Sequence, residues 1–361
     1  MIADERFFLP GPTEVRAEVL DAMRHPMIPH RSAAMELLMG TVHRRLQPLF
    51  GTARPVYVVN GSATAAMEMA IRCGSMHRVL AVVCGAFGER FAEIAELTGR
   101  DVTRVIAEPG ETVSPEQVRL ALEHGMYDTV TVVHSETSTG ALSDVSGIAR
   151  AVHEASNAML LVDAVTSVGA TAVEMDAWGA DLVFAGSQKA LALPPGLAFV
   201  CASERLLNRA RALFDRGFAL DLVRYDEFWH KSQSPTTPSI PLLFALDRQL
   251  ADIELEGVRA RFMRHAQMAH TCWDWVEVDG GSDLSLEILA RDGARSPTVT
   301  CLLCNSPDEI VRALNERGYV IGPGHGNLRS TSLRIGHMGD HSVAGLEALL
   351  DVMGSVMRAR R

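Results

Sequence analysis

Two residues that follow apolar segments have side chains suited to chemistry on an amino group. Lys189 lies just after the segment DLVFAG (181–186), and Asp163 ends the segment AMLLVD (158–163). An amine among small apolar residues can have a lowered pKa and act as a Schiff-base nucleophile. Each residue also has an ordinary interpretation, because a lone loop lysine is usually solvated and an aspartate often caps a turn.

The two residues together favour one cofactor. A carboxylate at a buried strand end needs a cationic or hydrogen-bonding partner. The protonated ring nitrogen of pyridoxal phosphate supplies such a partner, and an aspartate beside it makes the ring an electron sink. Asp163 and Lys189 therefore predict a site that binds pyridoxal phosphate.

Two further segments could contact the phosphate and the ring of that cofactor. The segment NGSATAAME (60–68) begins a predicted helix, so its backbone N–H groups and the hydroxyls of Ser62 and Thr64 suit an anion. Phe87, in CGAFGERF (84–91), follows a predicted strand and could stack on a flat heterocycle. Alone, the first segment indicates only a helix N-cap, and Phe87 only a core aromatic.

A hydroxyl-rich segment and an arginine complete the candidate set. HSETSTG (134–140) ends another predicted strand and suits either the polar atoms of a ring or a turn. Arg334, in SLRIGHMG (332–339), could bind a substrate carboxylate through two parallel hydrogen bonds, or form a surface salt bridge.

The elements that position these residues follow from the hydrophobic pattern. Seven short apolar segments predict strands at 56–60, 78–84, 101–106, 129–134, 158–163, 181–186 and 197–201. Helical patterns lie between them at 63–73, 88–98, 114–123, 144–156 and 203–213. This alternation predicts a mainly parallel, doubly wound α/β sheet, whose ligands bind at the carboxyl ends of the strands.

The pattern changes after about residue 215, and we expect three parts of the chain. A Ser-, Thr- and Pro-rich segment at 230–241 precedes helical patterns at 239–254 and 257–276; strands near 298–304 and 331–335 and helices near 307–317 and 341–358 follow. We expect an N-terminal segment near the active site (1–15), a large cofactor-binding α/β domain (16–255) and a small α+β domain (256–361).

Composition excludes several classes of function. The chain has 34 basic and 44 acidic residues, so its net charge of −10 argues against a nucleic-acid or anionic-membrane partner. No apolar run approaches the roughly 20 residues of a membrane span, and the N-terminus has no secretion signal, so we expect a cytoplasmic protein. Cys301 and Cys304 form a lone C-x-x-C in a strand-like run, which predicts buried structural thiols and no metal site.

The motifs as a set resemble the class V aminotransferases of the pyridoxal-phosphate fold type I superfamily, in particular the alanine–glyoxylate/serine–pyruvate aminotransferase group. The resemblance runs over nearly the whole chain, through LPGPTEV (9–15), HRS (30–32), NGSATAAME, CGAFGER, ETSTG, LVDAVTS, GSQKAL, TPSI (237–240) and LRIGHMG. It implies the type I fold, a mainly parallel seven-stranded sheet flanked by helices with a small C-terminal α+β domain.

The resemblance also implies a role for each site residue. Lys189 binds the cofactor covalently and moves the substrate proton, Asp163 contacts the ring nitrogen, Phe87 stacks on the ring, and Arg334 binds the substrate carboxylate. The remaining implied contacts are Thr137 near the ring hydroxyl and Ser62, Ala63, Thr64 and Gln188 on the phosphate. Thr237 reaches the phosphate of the neighbouring subunit, which implies a homodimer with shared active sites.

Several positions depart from the pattern of that family. Ala63 stands where the family usually has glycine, and alanine tolerates positive φ less well, so a different local geometry is expected. Phe87 replaces the tryptophan or tyrosine of some relatives, and Ser234 stands about where a tyrosine often precedes the TP motif. The loop 321–332 carries its own His325 and Arg329, each either solvated or in contact with a substrate side chain.

The predicted activity is a ping-pong transfer of an amino group from a small L-amino acid, of the alanine or serine type, to glyoxylate or pyruvate. One alternative is a lyase or desulfurase on the same fold, although the loop 321–332 lacks the cysteine that a desulfurase needs. Another is a non-enzymatic protein that still binds the cofactor.

Overall fold

The computed structural model describes residues 6–280 and 284–359. Its first seven strands are β1 Arg6–Phe8, β2 Val56–Asn60, β3 Arg78–Val83, β4 Asp101–Ile106, β5 Thr129–Val133, β6 Ser135–Glu136 and β7 Ala141–Leu142. The others are β8 Met159–Asp163, β9 Leu182–Gly186, β10 Leu197–Ala202, β11 Glu287–Ile288, β12 Val299–Leu303, β13 Tyr319–Pro323 and β14 Ser332–Gly336.

Helices alternate with the strands of the first two hundred residues and then dominate the chain. The first seven are α1 Ala17–Ala22, α2 Ala33–Leu46, α3 Ala63–Gly74, α4 Ala86–Leu97, α5 Pro115–Glu123, α6 Val145–Ala155 and α7 Met175–Trp178. They are followed by α8 Glu204–Ala212, α9 Leu222–Trp229, α10 Ile240–Glu256, α11 Val258–Asp274, α12 Pro307–Asn315 and α13 Val343–Arg358. Short 3₁₀ helices lie at Gln47–Phe50 and Gly326–Leu328, and a π-helical turn at Trp275–Gly280.

The large sheet confirms the predicted α/β architecture. Its strand order is β2-β10-β9-β8-β5-β3-β4, and it contains all seven strands predicted from the apolar segments. Strands β4, β3, β5, β8 and β9 are parallel, whereas β10 is antiparallel to both of its neighbours. Consequently β2 runs in the same direction as β9.

Both faces of the large sheet are covered by helices, which explains why its strands are almost continuously apolar. Along β8, Leu160 and Val162 belong to the core cluster on one face, whereas Met159 and Leu161 belong to the cluster on the other. The first cluster packs against α2, α5, α6 and α10, and the second against α3, α4 and α8. The inner strands are therefore shielded from water on both sides, whereas the residues of the edge strand β4 are exposed or half-buried.

A second sheet joins the two ends of the described chain. Its strand order is β1-β13-β14-β12-β11, with β1 parallel to β13 and the other neighbours antiparallel. Phe8 packs in the same core cluster as residues of α11, α12 and α13. The N-terminal strand thus belongs to the sheet formed by the C-terminal region, an association that the sequence pattern does not predict.

No helix within the described residues combines the length and the apolar character needed to cross a membrane.

Candidate active site

Five strands bring the candidate segments to one edge of the large sheet. The carboxyl ends of β2, β3, β5, β8 and β9 meet there because these strands run in the same direction. A cavity at this edge is lined by Ser62, Ala63, Thr64, Met67, Phe87, Arg90, Val133, Ser135, Thr137, Asp163, Val165, Thr166, Gln188 and Lys189. Eight of the predicted site residues therefore share one cavity.

Lys189 is buried in the turn that follows β9, with 7% of its surface exposed. Burial lowers the pKa of its amine to about 8, and the positive charge of Arg334 lowers it further, while Asp163 opposes the change. A pKa this close to neutrality leaves an appreciable fraction of uncharged amine, which can act as a nucleophile or a base.

The N-terminal segment crosses over Lys189. The Nζ atom of Lys189 donates to the carbonyl oxygen of Pro10. Thr13 fastens the same turn, since its N–H donates to Gln188 O and its hydroxyl to Lys189 O, each at 3.0 Å. At Gly11, with φ of +115°, an added Cβ would lie within 2.7–2.8 Å of the Lys189 side chain, so a glycine is required there.

A buried arginine holds the turn from the other side. Arg261 of α11 is 2% exposed, and its guanidinium donates to Ala190 O at 2.7 Å and to Gly169 O at 2.9 Å. The same group pairs with Glu256 at 2.8 Å and with Asp340 at 3.0 Å. The carbonyl next to Lys189 is thereby tied to a helix that packs on the second sheet.

Asp163 lies at the end of β8 and is almost completely buried. Burial raises the pKa of its carboxyl to about 7; the N–H of Val165, which donates to Oδ1 at 2.8 Å, opposes this rise, and the negative charge of Glu136 adds to it. A cation placed against this carboxylate would favour its ionised form. A protonated ring nitrogen fits that requirement.

The N-terminus of α3 forms the part of the cavity suited to a phosphate. Ser62 is the N-cap, and its hydroxyl accepts from Ala65 N at 3.3 Å. Ala63 and Thr64 are the first two helical residues, so their N–H groups have no acceptor within the helix. Ala63 is not among the described residues with positive φ, so alanine causes no backbone strain at this position.

Glu136 is a buried carboxylate that fixes the position of Phe87. Helix α4 begins at Ala86, two residues before the predicted start, so Phe87 lies in its first turn. The N–H groups of Phe87 and Gly88 donate to Glu136 Oε2 at 3.1 and 3.2 Å. The N–H and hydroxyl of Ser138 donate to Oε1 at 3.0 and 2.6 Å. Glu136 therefore occupies the N-terminus of α4 with a charge that the helix dipole favours.

Arg334 reaches the site from β14 of the second sheet. It donates from Nε to Pro323 O at 3.0 Å and from Nη1 to Thr137 O at 3.2 Å. Burial lowers the pKa of its guanidinium, and no carboxylate of the described residues forms an ion pair with it. The hydroxyl of Thr137 bonds to that of Thr166 at 2.6 Å. A half-buried cation held only by carbonyl oxygens can still accept an anionic ligand.

Two residues of the loop 321–332 have different environments. The ring of His325 stacks on that of Phe87, with 5.7 Å between centroids and 10° between planes. Arg329 follows the 3₁₀ helix Gly326–Leu328 and is exposed. The structure therefore places His325 beside the cavity and leaves Arg329 in solvent.

Thr237 and Arg334 are the two predicted site residues that do not line the cavity. Arg334 still contacts the cavity residue Thr137, whereas Thr237 forms no hydrogen bond with a cavity residue in the described parts of the chain. Thr237 is exposed, and its carbonyl oxygen accepts from Asn60 Nδ2 at 2.9 Å. Ser234 is buried, and its carbonyl oxygen accepts from Arg31 at 2.8 Å. The contact of Thr237 with a neighbouring subunit stays a prediction.

The described residues contain no group of three or more His, Cys, Asp or Glu side chains placed to hold a metal ion. Cys301 is buried in β12 and Cys304 is half-buried, both with free thiols. Burial raises the pKa of both thiols, to about 11 for Cys304, so they stay protonated at neutral pH.

Comparison with known proteins identifies the family. The aminotransferase class-V family matches residues 7–325 of the chain. The chain belongs to the class-V aminotransferases. It is therefore an aminotransferase-family enzyme. Its cavity lies at the carboxyl edge of a parallel sheet, which is where α/β proteins usually bind their ligands.

Relatives of this class-V aminotransferase include proteins with named activities. An uncharacterized aminotransferase of Methanocaldococcus jannaschii is 37% identical over 92% of this chain and 87% of its own. The serine–glyoxylate aminotransferase of Methylorubrum extorquens is 31% identical over 92% of this chain and 86% of its own. The structure of alanine–glyoxylate aminotransferase from Nostoc sp. superposes with a TM-score of 0.92 at 29% identity, covering 99% and 96% of the two chains.

Two residues of this class-V aminotransferase hold parts of the site although the sequence pattern does not single them out. Glu136 lay inside HSETSTG, but its charge gave no sign that it meets the first turn of α4. Arg261 comes from a helix far along the chain, and nothing in its own segment indicates a contact with Ala190. The hydrophobic periodicity of α11 predicts that one side of this helix is buried. The available signal for Arg261 was that a charged residue lies on that side, where it needs a partner.

Proposed function

We propose that the protein is a pyridoxal-phosphate-dependent aminotransferase that moves an amino group from a small L-amino acid to a 2-oxo acid. The donor would be of the alanine or serine type and the acceptor glyoxylate or pyruvate, in a ping-pong reaction. Relatives named as serine–glyoxylate and alanine–glyoxylate aminotransferases support this choice of substrates.

The observation that carries the proposal is the buried pair of Lys189 and Asp163 in one cavity. Burial brings the pKa of the amine down to about 8 and that of the carboxyl up to about 7. Shifts of this kind in a cavity are typical of catalytic groups. A lysine without a role in chemistry usually keeps its amine in solvent at such a strand end.

The residues present fit the cofactor. The phosphate would be held by the N-terminus of α3, with Ser62, Ala63 and Thr64, and by Gln188. The ring would lie between Phe87 and the strand-end residues, with its nitrogen on Asp163 and its hydroxyl near Thr137. When bound, pyridoxal phosphate supplies a carbonyl carbon that receives amino groups and a ring that accepts electron density.

The chain's own groups would then bind the substrate and move its proton. Arg334 would bind the α-carboxylate through its guanidinium, which orients the Cα–H bond. The uncharged Nζ of Lys189 would remove the proton from Cα and return it to the product. Phe87 would cover one face of the reacting group and exclude water.

We also propose a homodimer in which Thr237 of each subunit completes the phosphate site of the other. Thr237 is exposed in the single chain. Its segment is held by the side chain of Asn60, which donates from Nδ2 to Thr237 O and accepts at Oδ1 from Ser239 N. A second copy of the chain could therefore reach it. Sedimentation equilibrium of the wild-type protein and of Thr237→Ala, with cofactor dissociation measured in parallel, tests both statements.

The experiment that tests the function uses the small number of lysines in this protein. The sequence contains two, Lys189 and the exposed Lys231. Borohydride reduction of the protein with bound pyridoxal phosphate should add the reduced cofactor mass to the peptide containing Lys189 and leave that of Lys231 unchanged. Lys189→Ala should abolish both labelling and amino transfer, while Lys231→Ala should keep both.

Other outcomes of that experiment would replace the proposal. Labelling of Lys189 without amino transfer to any 2-oxo acid would indicate a non-enzymatic cofactor-binding protein. Release of ammonia or sulfide from the amino donor in place of transfer would indicate a lyase. Full transfer activity in Lys189→Ala would refute the assigned role of that lysine.

A further inference from the structure

His325 lies beside the active-site cavity, on the loop that joins β13 to β14, and packs against Phe87 of the cavity lining. Its ring is nearly parallel to that of Phe87, with 5.7 Å between the centroids. Its side chain is half-buried, and neither ring nitrogen has a hydrogen-bond partner in the described parts of the chain. The ring is therefore held by packing, while both nitrogens are available to a ligand.

The groups around His325 are those that would hold the amino donor. Arg334, which would bind the α-carboxylate, donates from Nε to the carbonyl oxygen of Pro323, two residues before His325. Lys189 Nζ lies 5.9 Å from the centre of the Phe87 ring on which His325 stacks. Carboxylate, amino group and α-proton occupy three of the four bonds of Cα, so the donor's side chain takes the fourth. A side chain directed toward the loop 321–332 would meet His325.

The imidazole is uncharged near neutral pH. Burial lowers the pKa of His325, and the positive charges of Arg334, Arg90 and Lys189 lower it further against the opposing charge of Glu136. A neutral imidazole has one N–H donor and one acceptor nitrogen. A hydroxyl group, which can both donate and accept, matches either of them, whereas a methyl group matches neither.

We infer that His325 is a specificity-determining residue that favours amino donors with a β-hydroxyl group, such as L-serine, over L-alanine. The inference rests on the proposed aminotransferase function and adds the class of donor to it. The methyl group of alanine would bring no partner to a ring nitrogen that binding removes from water, and an unpaired polar group of this kind costs affinity.

The test compares two donors with the holoenzyme and with three variants. His325→Phe keeps a ring that can stack on Phe87 but has no nitrogen, and His325→Asn restores a donor and an acceptor without the ring. Arg329→Ala changes an exposed residue of the same loop and serves as the matched control. For each protein, kcat/KM is measured for L-serine and for L-alanine with saturating glyoxylate, and the urea midpoint reports folding.

The wild-type enzyme should prefer serine, and His325→Phe should reduce the serine-to-alanine ratio of kcat/KM by about tenfold, as expected for one neutral hydrogen bond. Most of the change should appear in the KM for serine, and His325→Asn should recover part of it. An unchanged ratio, or an equal loss for both donors, would show that His325 only packs on Phe87. If the wild-type enzyme used neither donor, the proposed function itself would fail.

Discussion

Replacing Glu136 with glutamine removes a buried negative charge from the active site while keeping the size of the side chain. The carboxylate is fully buried and accepts four hydrogen bonds, two from the first turn of α4 and two from Ser138. A glutamine can accept on one side only, because its NH₂ group on the other side would face N–H or O–H donors. Two of the four bonds are therefore lost.

The magnitude follows from that count. Each hydrogen bond to a charged group contributes about 1.5–3 kcal/mol, so the loss of two predicts that Glu136→Gln is about 3–6 kcal/mol less stable. Ser138→Ala removes one hydroxyl donor to the same carboxylate and leaves the carboxylate in place, so it should cost about 1.5–3 kcal/mol, half of the loss expected for Glu136→Gln. Ser138→Ala keeps the charge and serves as the control that loses a single bond to the carboxylate.

Urea unfolding at pH 7.5 measures both losses, and NMR of protein labelled with ¹³Cε-lysine measures the effect on the site. The negative charge of Glu136 raises the pKa of Lys189, so Glu136→Gln should move the titration of Lys189 below its value of about 8. Lys231 provides an internal reference, since the sequence holds only these two lysines. A variant within 0.5 kcal/mol of wild type, with an unchanged Lys189 midpoint, would refute the reasoning.

Three other changes test separate parts of the site. Asp163→Asn should lower kcat by on the order of 10²-fold or more while the cofactor still binds, since it removes the negative charge beside the ring nitrogen. Single-turnover kinetics measure the loss in rate, and a cofactor titration measures binding. A near-normal kcat would contradict the role proposed for Asp163. Arg261→Met should destabilise the protein by about 3–5 kcal/mol in urea, because it leaves the carbonyl oxygens of Ala190 and Gly169 without their donor and removes one of the two cations from each of two partly buried carboxylates. A loss below about 1 kcal/mol would remove the case for this anchor. Burial lowers the pKa of His134 to about 4, so the unfolded chain binds more protons between pH 6.5 and 4 and stability falls as the pH falls through that window. At pH 5 this histidine should account for about 2 kcal/mol, and His134→Leu should show a correspondingly smaller loss between pH 7 and pH 5 in urea titrations; equal losses would contradict it.

The large sheet was predictable because its information is local. Apart from the edge strand β4, every strand from β2 to β10 in that sheet is a short apolar run, since helices cover both faces, and helices separate most of them. The pairing of β1 with β13 was not predictable, because each is a short segment whose partner lies at the other end of the chain. No periodicity within residues 6–8 indicates which sheet they join.

The site was predictable to the extent that it consists of residues at strand ends. Lys189 and Asp163 follow apolar segments, and the rule for parallel sheets brings such positions together. Glu136 follows the same rule, yet its role depends on the direction of a side chain toward the start of α4, which spacing along the chain does not specify. His325 is positioned by a loop, and loop conformation depends on contacts with residues distant in sequence.

The pairing of β1 with β13 has a consequence for the way the protein is made. Arg6 and Tyr319, which contact each other in the folded protein, are 313 residues apart. At a translation rate of about 5–20 residues per second, the first strand emerges roughly 15–60 s before its partner exists. Throughout that interval Pro10, Gly11 and Thr13 have no fixed support from the second sheet, and the turn that carries Lys189 is made before that sheet is complete. The covering of the reactive amine would therefore be among the last events of folding, and the nascent chain would expose it until the ribosome has passed residue 323.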